Sequence, residues 1–508
     1  MSTNLGEFMK KVLIIGGGVS GLAAGIYLQS SGYETEILEK NHVPGGACIG
    51  WERKGCYIDG CIHWLAGVNP KSSLHQLWRE THAIREDTEM FYQNDLSTFR
   101  FLDGTTFTIW ADLNKFQKEL IEFAPEDEKE IKKLCKLIKR FQKIDPPSKK
   151  PADLMNLGEL LKVGITMAGA YYWICKTSKL SCSDFAKKFK NKYLRSVFSE
   201  YMESDYNFMS FLYMMGHITG SDAGIPIGGS LAMVKRMEER YLSLGGKVTT
   251  RASVKRIIVE NDTAKGVLLE NDEEMRSDWV VSTVPAEHCL KTLLDGKYKV
   301  DKIDMRLNDM ATYPIYTFTT VVFKCNKDIS NLPLSTKIYL DKPIVIDKEY
   351  DCLGFRNYSY DKTVKRSDAS TIIQSSLSGN DNMYFWWKQK KEDGTYAKEK
   401  ERFANEFLEI FKKNFPDLAN DVEVIDVITP CTYERYLNSR HGCFQSFIHT
   451  AQGKSLMQKG VIKGLKGFIL GGQWILQSGG LPPAVMSGRF SAIRVCRADK
   501  TKFIPPKY

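Results

Sequence analysis

The sequence predicts an α/β protein, with a nucleotide-binding domain assembled from three separated stretches of chain and an α+β domain inserted between them. Three observations lead there. An apolar run at 12–15 (VLII) is followed at once by the glycine string Gly16-Gly17-Gly18-Val19-Ser20-Gly21 and a helical stretch. Short strands and glycine turns return over 224–295 and again over 455–508. The intervening regions are patterned differently, helix-rich over 89–223 and built of longer strands over 296–454.

Size and composition support this division. A chain of 508 residues is too long for one simple core and implies two domains. Its 43% hydrophobic and 26% charged content is that of a globular protein. The net charge of +10 is too diffuse for a nucleic-acid partner, although a basic face suits an anionic lipid surface. Among 12 cysteines there is no CxxC, and the close pair Cys56 and Cys61 lacks zinc spacing. Free thiols of a reducing cytoplasm are expected. The 8 histidines form no HxxxH, so no metal site is expected.

No membrane span is expected either. The stretch 9–28 imitates a signal peptide but has no convincing cleavage site. The charge-free run 467–488 carries six glycines and Pro482-Pro483, which would break a spanning helix. The apolar tract 163–175 would reach only about 20 Å as a helix, short of a bilayer core of about 30 Å. The expected location is cytoplasmic, with association at the cytoplasmic membrane face left open.

The elements follow in order. Residues 12–15 are continuously apolar, as in a parallel strand covered on both faces. A helix through Leu22, Ile26 and Leu28 ends near Gly32, and 35–39 forms the next strand, completing a βαβ opening. At 127–144, Ile131, Leu134, Leu137, Ile138 and Phe141 share one helix face, with lysines opposite. Pro146, Pro147 and Pro151 then interrupt the chain. A helix over 230–244 leads to Gly245-Gly246, and strands and turns follow as far as 278–285 (DWVVSTVP). Strands at 315–324, 371–377 and 383–387 suggest an antiparallel sheet, and a helix with Phe403, Phe407, Ile410 and Phe411 on one face follows. The nucleotide domain then comprises 1–88, 224–295 and 455–508, and the inserted domain 89–223 and 296–454.

The glycine string carries the first chemistry. Gly16 permits the tight turn, Gly18 lets the backbone approach a pyrophosphate, and Gly21 lets helix and strand pack closely, the Rossmann-like arrangement. Val19 and Ser20 open the helix whose unpaired N–H groups face the phosphates. Glu39 ends the second strand, 18 residues beyond Gly21, where its carboxylate can accept hydrogen bonds from ribose hydroxyls. NAD and FAD both use this fingerprint. A second glycine pair, Gly45-Gly46, allows another close approach along an extended cofactor.

The glycine string, the pair at 45–46 and the following "GCYIDGCIHWLAG" together resemble the FAD-binding amine oxidase and phytoene desaturase superfamily. Within it, they are most similar to the bacterial phytoene desaturase and retinol saturase-like branch. "GGKVTTRASVKRI" resembles the segment whose valine, here Val254, gives adenine backbone hydrogen bonds. "GGQWILQSGGLPPAVMSGR" resembles the motif around the flavin end, which implies roles for Gly472, Gln473, Gly480, Leu481 and Pro482. "TPCTYERYLNSRHGCFQSF" resembles the family's return from substrate domain to FAD domain. The resemblance is weakest over about 90–220 and 330–420.

It implies FAD as cofactor and places His63 and Trp64 as candidates at the reaction face. A histidine bonded to backbone is the plain alternative for His63, and packing for Trp64. Two departures bear on the diphosphate. Ala47 stands where relatives commonly carry a basic residue, and Gln473 where many carry an acid. Backbone N–H groups with Arg53 or Arg489 are expected to compensate.

There is no second GxGxxG after a strand, so no dedicated NAD(P)-binding domain is expected. No Ser–His–Asp or Cys–His signature stands out, which leaves a flavin as the reactive centre. The segments 207–217 (NFMSFLYMMGH) and 383–387 (MYFWW) are candidates for lining an apolar cavity, with ordinary core as the alternative. The tract 163–175 and the lysine-faced helix could dock on a bilayer. The resemblance implies hydride transfer between flavin N5 and a carbon–carbon bond of a hydrophobic polyene, isoprenoid or fatty-acid-like substrate, as desaturation or saturation. Flavin-dependent double-bond isomerisation, amine oxidation and non-catalytic prenyl or lipid escort are the alternatives.

Overall fold

The computed structural model describes residues 9–362 and 370–508. Its first sheet is parallel and five-stranded, in the order Lys247–Thr250, Glu34–Glu39, Lys11–Ile15, Trp279–Ser282, Phe468–Leu470. Strands from three distant parts of the chain therefore make one sheet. The central strand KVLII is buried from Val12 to Ile15 because helices cover both faces. The helix Val19–Ser30 is buried over its first ten residues, against the helices Leu481–Ala498 and Gly229–Ser243. A methyl group on Gly488 would come within 2.4 Å of the Ser20 carbonyl oxygen, so this helix crossing requires glycine there.

The second sheet has seven strands, in the order Val422–Ile428, Thr317–Cys325, Thr371–Gly379, Glu349–Asn357, Ser335–Val345, Asp95–Arg100, Thr106–Trp110. Its pairings are antiparallel except that of Ser335–Val345 with Asp95–Arg100. The helix Tyr396–Asn414 covers one face through Phe403, Phe407 and Phe411. Helices Glu128–Phe141 and Phe208–Thr219 pack together in another core, with the lysines of the former exposed.

One expected strand is a helix. Residues 383–387 lie inside Asp381–Glu392, whose N-cap Asn380 accepts a hydrogen bond from the Asn382 N–H. Met383, Tyr384 and Trp387 are buried on one face while Phe385 is 50% exposed. Trp387 packs on Tyr396 and Phe403, so this cluster is core and not cavity wall. The apolar tract at 163–175 extends in both directions into a helix, Leu157–Thr177, capped by Asn156 and Glu159. No helix among the described residues is long and apolar enough to cross a membrane.

Candidate active site

A continuous cavity of about 1240 Å³ extends from the glycine turns of the parallel sheet to the second sheet and the helix Phe208–Thr219. Its nucleotide end is built from two glycine segments docked on each other. The Gly45 N–H donates to the Gly17 carbonyl at 2.9 Å, and Gly18 and Gly45 form a parallel bridge. Gly45 and Gly46 have φ of 140° and 60°, which favours glycine at both.

Gly18 is the N-cap of the helix Val19–Ser30, and no side chain caps that helix end. A methyl group added to Gly18 would meet nothing nearer than 3.8 Å, so the space in front of these free N–H groups is open. Gly21 differs. A methyl group there would lie 1.9 Å from the Gly16 carbonyl oxygen, and Gly21 is absent from the cavity wall. Its glycine serves helix–strand packing.

Glu39 is buried at the tip of its strand. Its carboxylate accepts from the Gly17 N–H at 2.8 Å and from both the N–H and the side-chain amide of Asn41, at 2.8 and 2.9 Å. The Ala252 N–H donates to the Glu39 carbonyl at 2.9 Å, which brings Val254 to the same end of the cavity.

The far end of the parallel sheet contributes Gln473, Gly480, Leu481 and Pro482 to the wall. Gln473 acts on the chain itself. Its amide nitrogen donates to the Phe444 carbonyl at 3.0 Å, and its oxygen accepts from the Gly480 N–H at 2.7 Å. Both of these main-chain bonds shape the turn. Gly472 lies behind the wall, donating its N–H to Ser20 Oγ at 3.2 Å.

The expected compensation by arginines is corrected. Arg53 is half exposed and pairs with Asp426 at 3.3 Å. Arg489 is buried against Glu80, and its Nε donates to the Lys149 carbonyl. Neither lines the cavity. Position 489 sits two turns into the helix Leu481–Ala498, which carries it away from the end that faces the cavity. Beside Ala47 the cavity wall is main chain, including the uncapped helix end with its partial positive charge.

His63 and Trp64 both line the cavity where the two sheets meet. His63 is exposed where it opens onto the cavity, with Tyr358 and Arg356 beside it. Its Nε2 lies 3.3 Å from the Tyr358 hydroxyl, and its carbonyl accepts from Gln93 at 2.8 Å and Arg356 at 3.2 Å. Burial, assisted by the Arg356 guanidinium, lowers its pKa to about 3, so the imidazole is neutral near pH 7. The unfolded chain therefore binds the extra proton first as pH falls. His63 contributes stability that is fully present above about pH 6.5 and is lost as pH drops toward 3. A His63→Gln variant should lose less unfolding free energy than the parent between pH 6.5 and 4, as followed by urea unfolding; equal losses would contradict this neutral state. Trp64 is partly buried between two core clusters.

Asp59 orients this stretch, a role the sequence did not reveal. Its buried carboxylate accepts from Ser230 N at 2.7 Å, Ser230 Oγ at 2.5 Å and Cys61 N at 3.0 Å. Ser230 Oγ in turn accepts from the Ile62 N–H at 3.0 Å. Gln374 of the second sheet donates to the Asp59 carbonyl at 2.6 Å. The chain leading into His63 is thus tied to both sheets. Beyond it, one face of the methionine-rich helix supplies Met209, Tyr213 and Met214 to the cavity, while Phe208, Phe211 and Met215 of that helix are core. Phe318 and Phe444, stacked at 4.6 Å, complete an apolar section.

The sequence profile of the family described as flavin containing amine oxidoreductase matches residues 19–496. The chain belongs to that family. FAD is its cofactor, and it is an FAD-dependent oxidoreductase. A curated relative, the chloroplastic prolycopene isomerase of Daucus carota, is 24% identical over 85% of this chain and 71% of its own length. A lycopene-forming phytoene desaturase of Paracoccus sp. is 21% identical over 95% of this chain and 96% of its own. A solved oxidoreductase from Methanosarcina mazei shares the fold, with a TM-score of 0.60 at 14% identity over 96% of this chain and 100% of that one. The residues fit the cofactor this flavoprotein family requires: an open uncapped helix end for phosphate, a carboxylate at the strand tip, and a glycine-lined turn at 479–480.

Proposed function

We propose that this flavoprotein performs hydride exchange at a carbon–carbon bond of a long apolar substrate, polyene, isoprenoid or fatty-acid-like, as desaturation or saturation. The observation that carries this reading is the single cavity joining the dinucleotide end to the Met209, Tyr213, Phe318 and Phe444 surface, with His63 and Trp64 between them. Bound FAD supplies hydride acceptance or donation. In this reading Gly16, Gly18, Val19, Ser20, Gly45 and Gly46 hold its diphosphate, Glu39 its ribose and Val254 its adenine. Gly480, Leu481 and Pro482, which line the cavity, would hold its ring end.

The rest of the chain aligns substrate and excludes water. Neutral His63, beside the Tyr358 hydroxyl, can orient groups by hydrogen bonding without placing a charge beside an apolar chain. Isomerisation without net redox change is the second reading, favoured by the similarity to a prolycopene isomerase. The test is anaerobic mixing of the holoprotein with polyene lipids. Flavin bleaching supports desaturation, reoxidation of pre-reduced flavin supports saturation, and isomerised product with unchanged flavin supports the second reading. A full set of polyene, isoprenoid and acyl substrates giving none of these would sink both.

The reading extends to a membrane contact. Along the helix Leu157–Thr177, Leu157, Leu161, Ile165 and Tyr171 are 73, 59, 79 and 67% exposed, and Lys162 and Lys176 flank them. Ile174 of the same helix lines the cavity. An apolar face beside a cavity wall is an access route for a lipid held in an anionic bilayer. Flotation with vesicles containing anionic phospholipid should recover the parent protein and lose Leu161→Glu/Ile165→Glu with its flavin intact. Equal flotation of the two would remove this helix from the contact.

A further inference from the structure

Cys48 and Cys61 belong to the stretch between the second glycine pair and His63. Both were expected to be ordinary free thiols. The hairpin between them runs Gly50–Arg53 against Cys56–Asp59, with Gly50 opposite Asp59. The Gly60 N–H continues the pairing by donating to the Ile49 carbonyl at 2.9 Å. Cys48 and Cys61 lie just beyond the paired residues, where one further step of this register would set them opposite each other. Side chains directly opposed across antiparallel strands have Cβ atoms about 4.5–5.5 Å apart. A disulfide needs about 3.5–4.5 Å, so a small closure suffices.

The two thiols are near enough that Cys61 is the leading influence raising the Cys48 thiol above its ordinary range, beside the burial of Cys48. Both line the cavity, with Gly45 and Gly46 on one side and His63 and Trp64 on the other. Cys48 is buried and its Sγ lies 3.8 Å from the Ser230 carbonyl, whereas Cys61 is partly accessible. Asp59 fixes the Cys61 end by accepting its N–H. The other cysteines have no such arrangement along this stretch.

We propose that Cys48 and Cys61 form a reversible disulfide in the wall of the active-site cavity, a two-electron store in exchange with the bound flavin. This rests on the flavin occupying the cavity as described above. The step balances. Two S–H bonds break and one S–S bond forms, while two protons and two electrons pass to oxidised flavin, giving disulfide and reduced flavin. Dioxygen in aerated buffer reoxidises the flavin and leaves the disulfide. The Cys61 thiol, burial and the Asp59 carboxylate hold the Cys48 thiol well above its ordinary range, so Cys61 is the sulfur open to exchange with a dithiol reductant entering the cavity.

The test is an anaerobic dithionite titration of aerobically prepared holoprotein, followed by flavin absorbance to the first excess of dithionite. Alkylation and mass mapping of Cys48 and Cys61 accompany it before and after. The parent should consume four electrons per flavin, with both cysteines blocked before the titration and alkylated after it. Cys61→Ser and Cys48→Ser should each consume two, with their flavin spectra retained. Two electrons per flavin in the parent, or four in either variant, would overturn the dithiol proposal alone. A preparation that binds no flavin, visible before any titration, would overturn it together with the reading on which it rests.

Discussion

Gly18→Ala should fold as the parent does and bind FAD more weakly, whereas Gly21→Ala should lose both fold stability and FAD. The two glycines sit three residues apart in one motif, and the structure separates their duties. A methyl group on Gly18 meets no protein atom closer than 3.8 Å, and its φ of −71° suits alanine. Any penalty must come from what occupies the open space before the helix end. Crowding of a close-packed contact costs about 1–3 kcal/mol, which is a weakening of about 5- to 140-fold in FAD affinity. At Gly21 the methyl group would stand 1.9 Å from a main-chain carbonyl in the strand–helix turn, which cannot swing aside. Flavin content by absorbance and unfolding of the apoproteins distinguish the cases. If Gly18→Ala binds FAD as tightly as the parent in a titration of the apoprotein, the diphosphate does not lie before this helix end.

The same contrast shows which parts of the molecule can be read from sequence. The parallel sheet was legible because its information is local: an apolar run, a glycine turn, and an acid at the next strand tip. The glycine pair Gly45-Gly46 announced a second close backbone approach, whereas His63 and Trp64 became candidates only through the family resemblance of the stretch that carries them. The second sheet was only half legible. Its strands Ser335–Val345 and Glu349–Asn357 carry interspersed charges, and its edge is completed by Asp95–Arg100 and Thr106–Trp110 from the first insertion. No local pattern announces such distant pairing. The run MYFWW has large rings at every position, so neither period is imposed. The caps outside it, Asn380 and the lysines near Glu392, decide for helix. Arg489 was misjudged because a motif locates a helix start, while the direction of a side chain two turns later depends on what the helix packs against.

What Arg489 does instead carries the other large effect. Glu80 and Arg489 are 1 and 7% exposed, and they form an ion pair joining the helix Ser73–Glu80 to Leu481–Ala498. The Tyr27 hydroxyl donates to the same carboxylate at 2.7 Å, and Gln76 to its other oxygen at 2.6 Å. The guanidinium also bonds the Lys149 carbonyl and lies over the Tyr27 and Phe503 rings. Removing one partner leaves an uncompensated buried charge, which costs about 3–5 kcal/mol. Glu80→Ala or Arg489→Ala should therefore lose stability on that scale in chemical unfolding, while bound FAD stays near stoichiometric, since neither residue reaches the cavity. Replacing both by methionine removes the desolvated charges together and should restore most of the loss. If the double variant is as unstable as either single one, the pair's worth lies in its bonds to Tyr27, Gln76 and Lys149 and not in charge balance. If instead Arg489→Ala releases flavin without loss of stability, the arginine acts on the diphosphate after all.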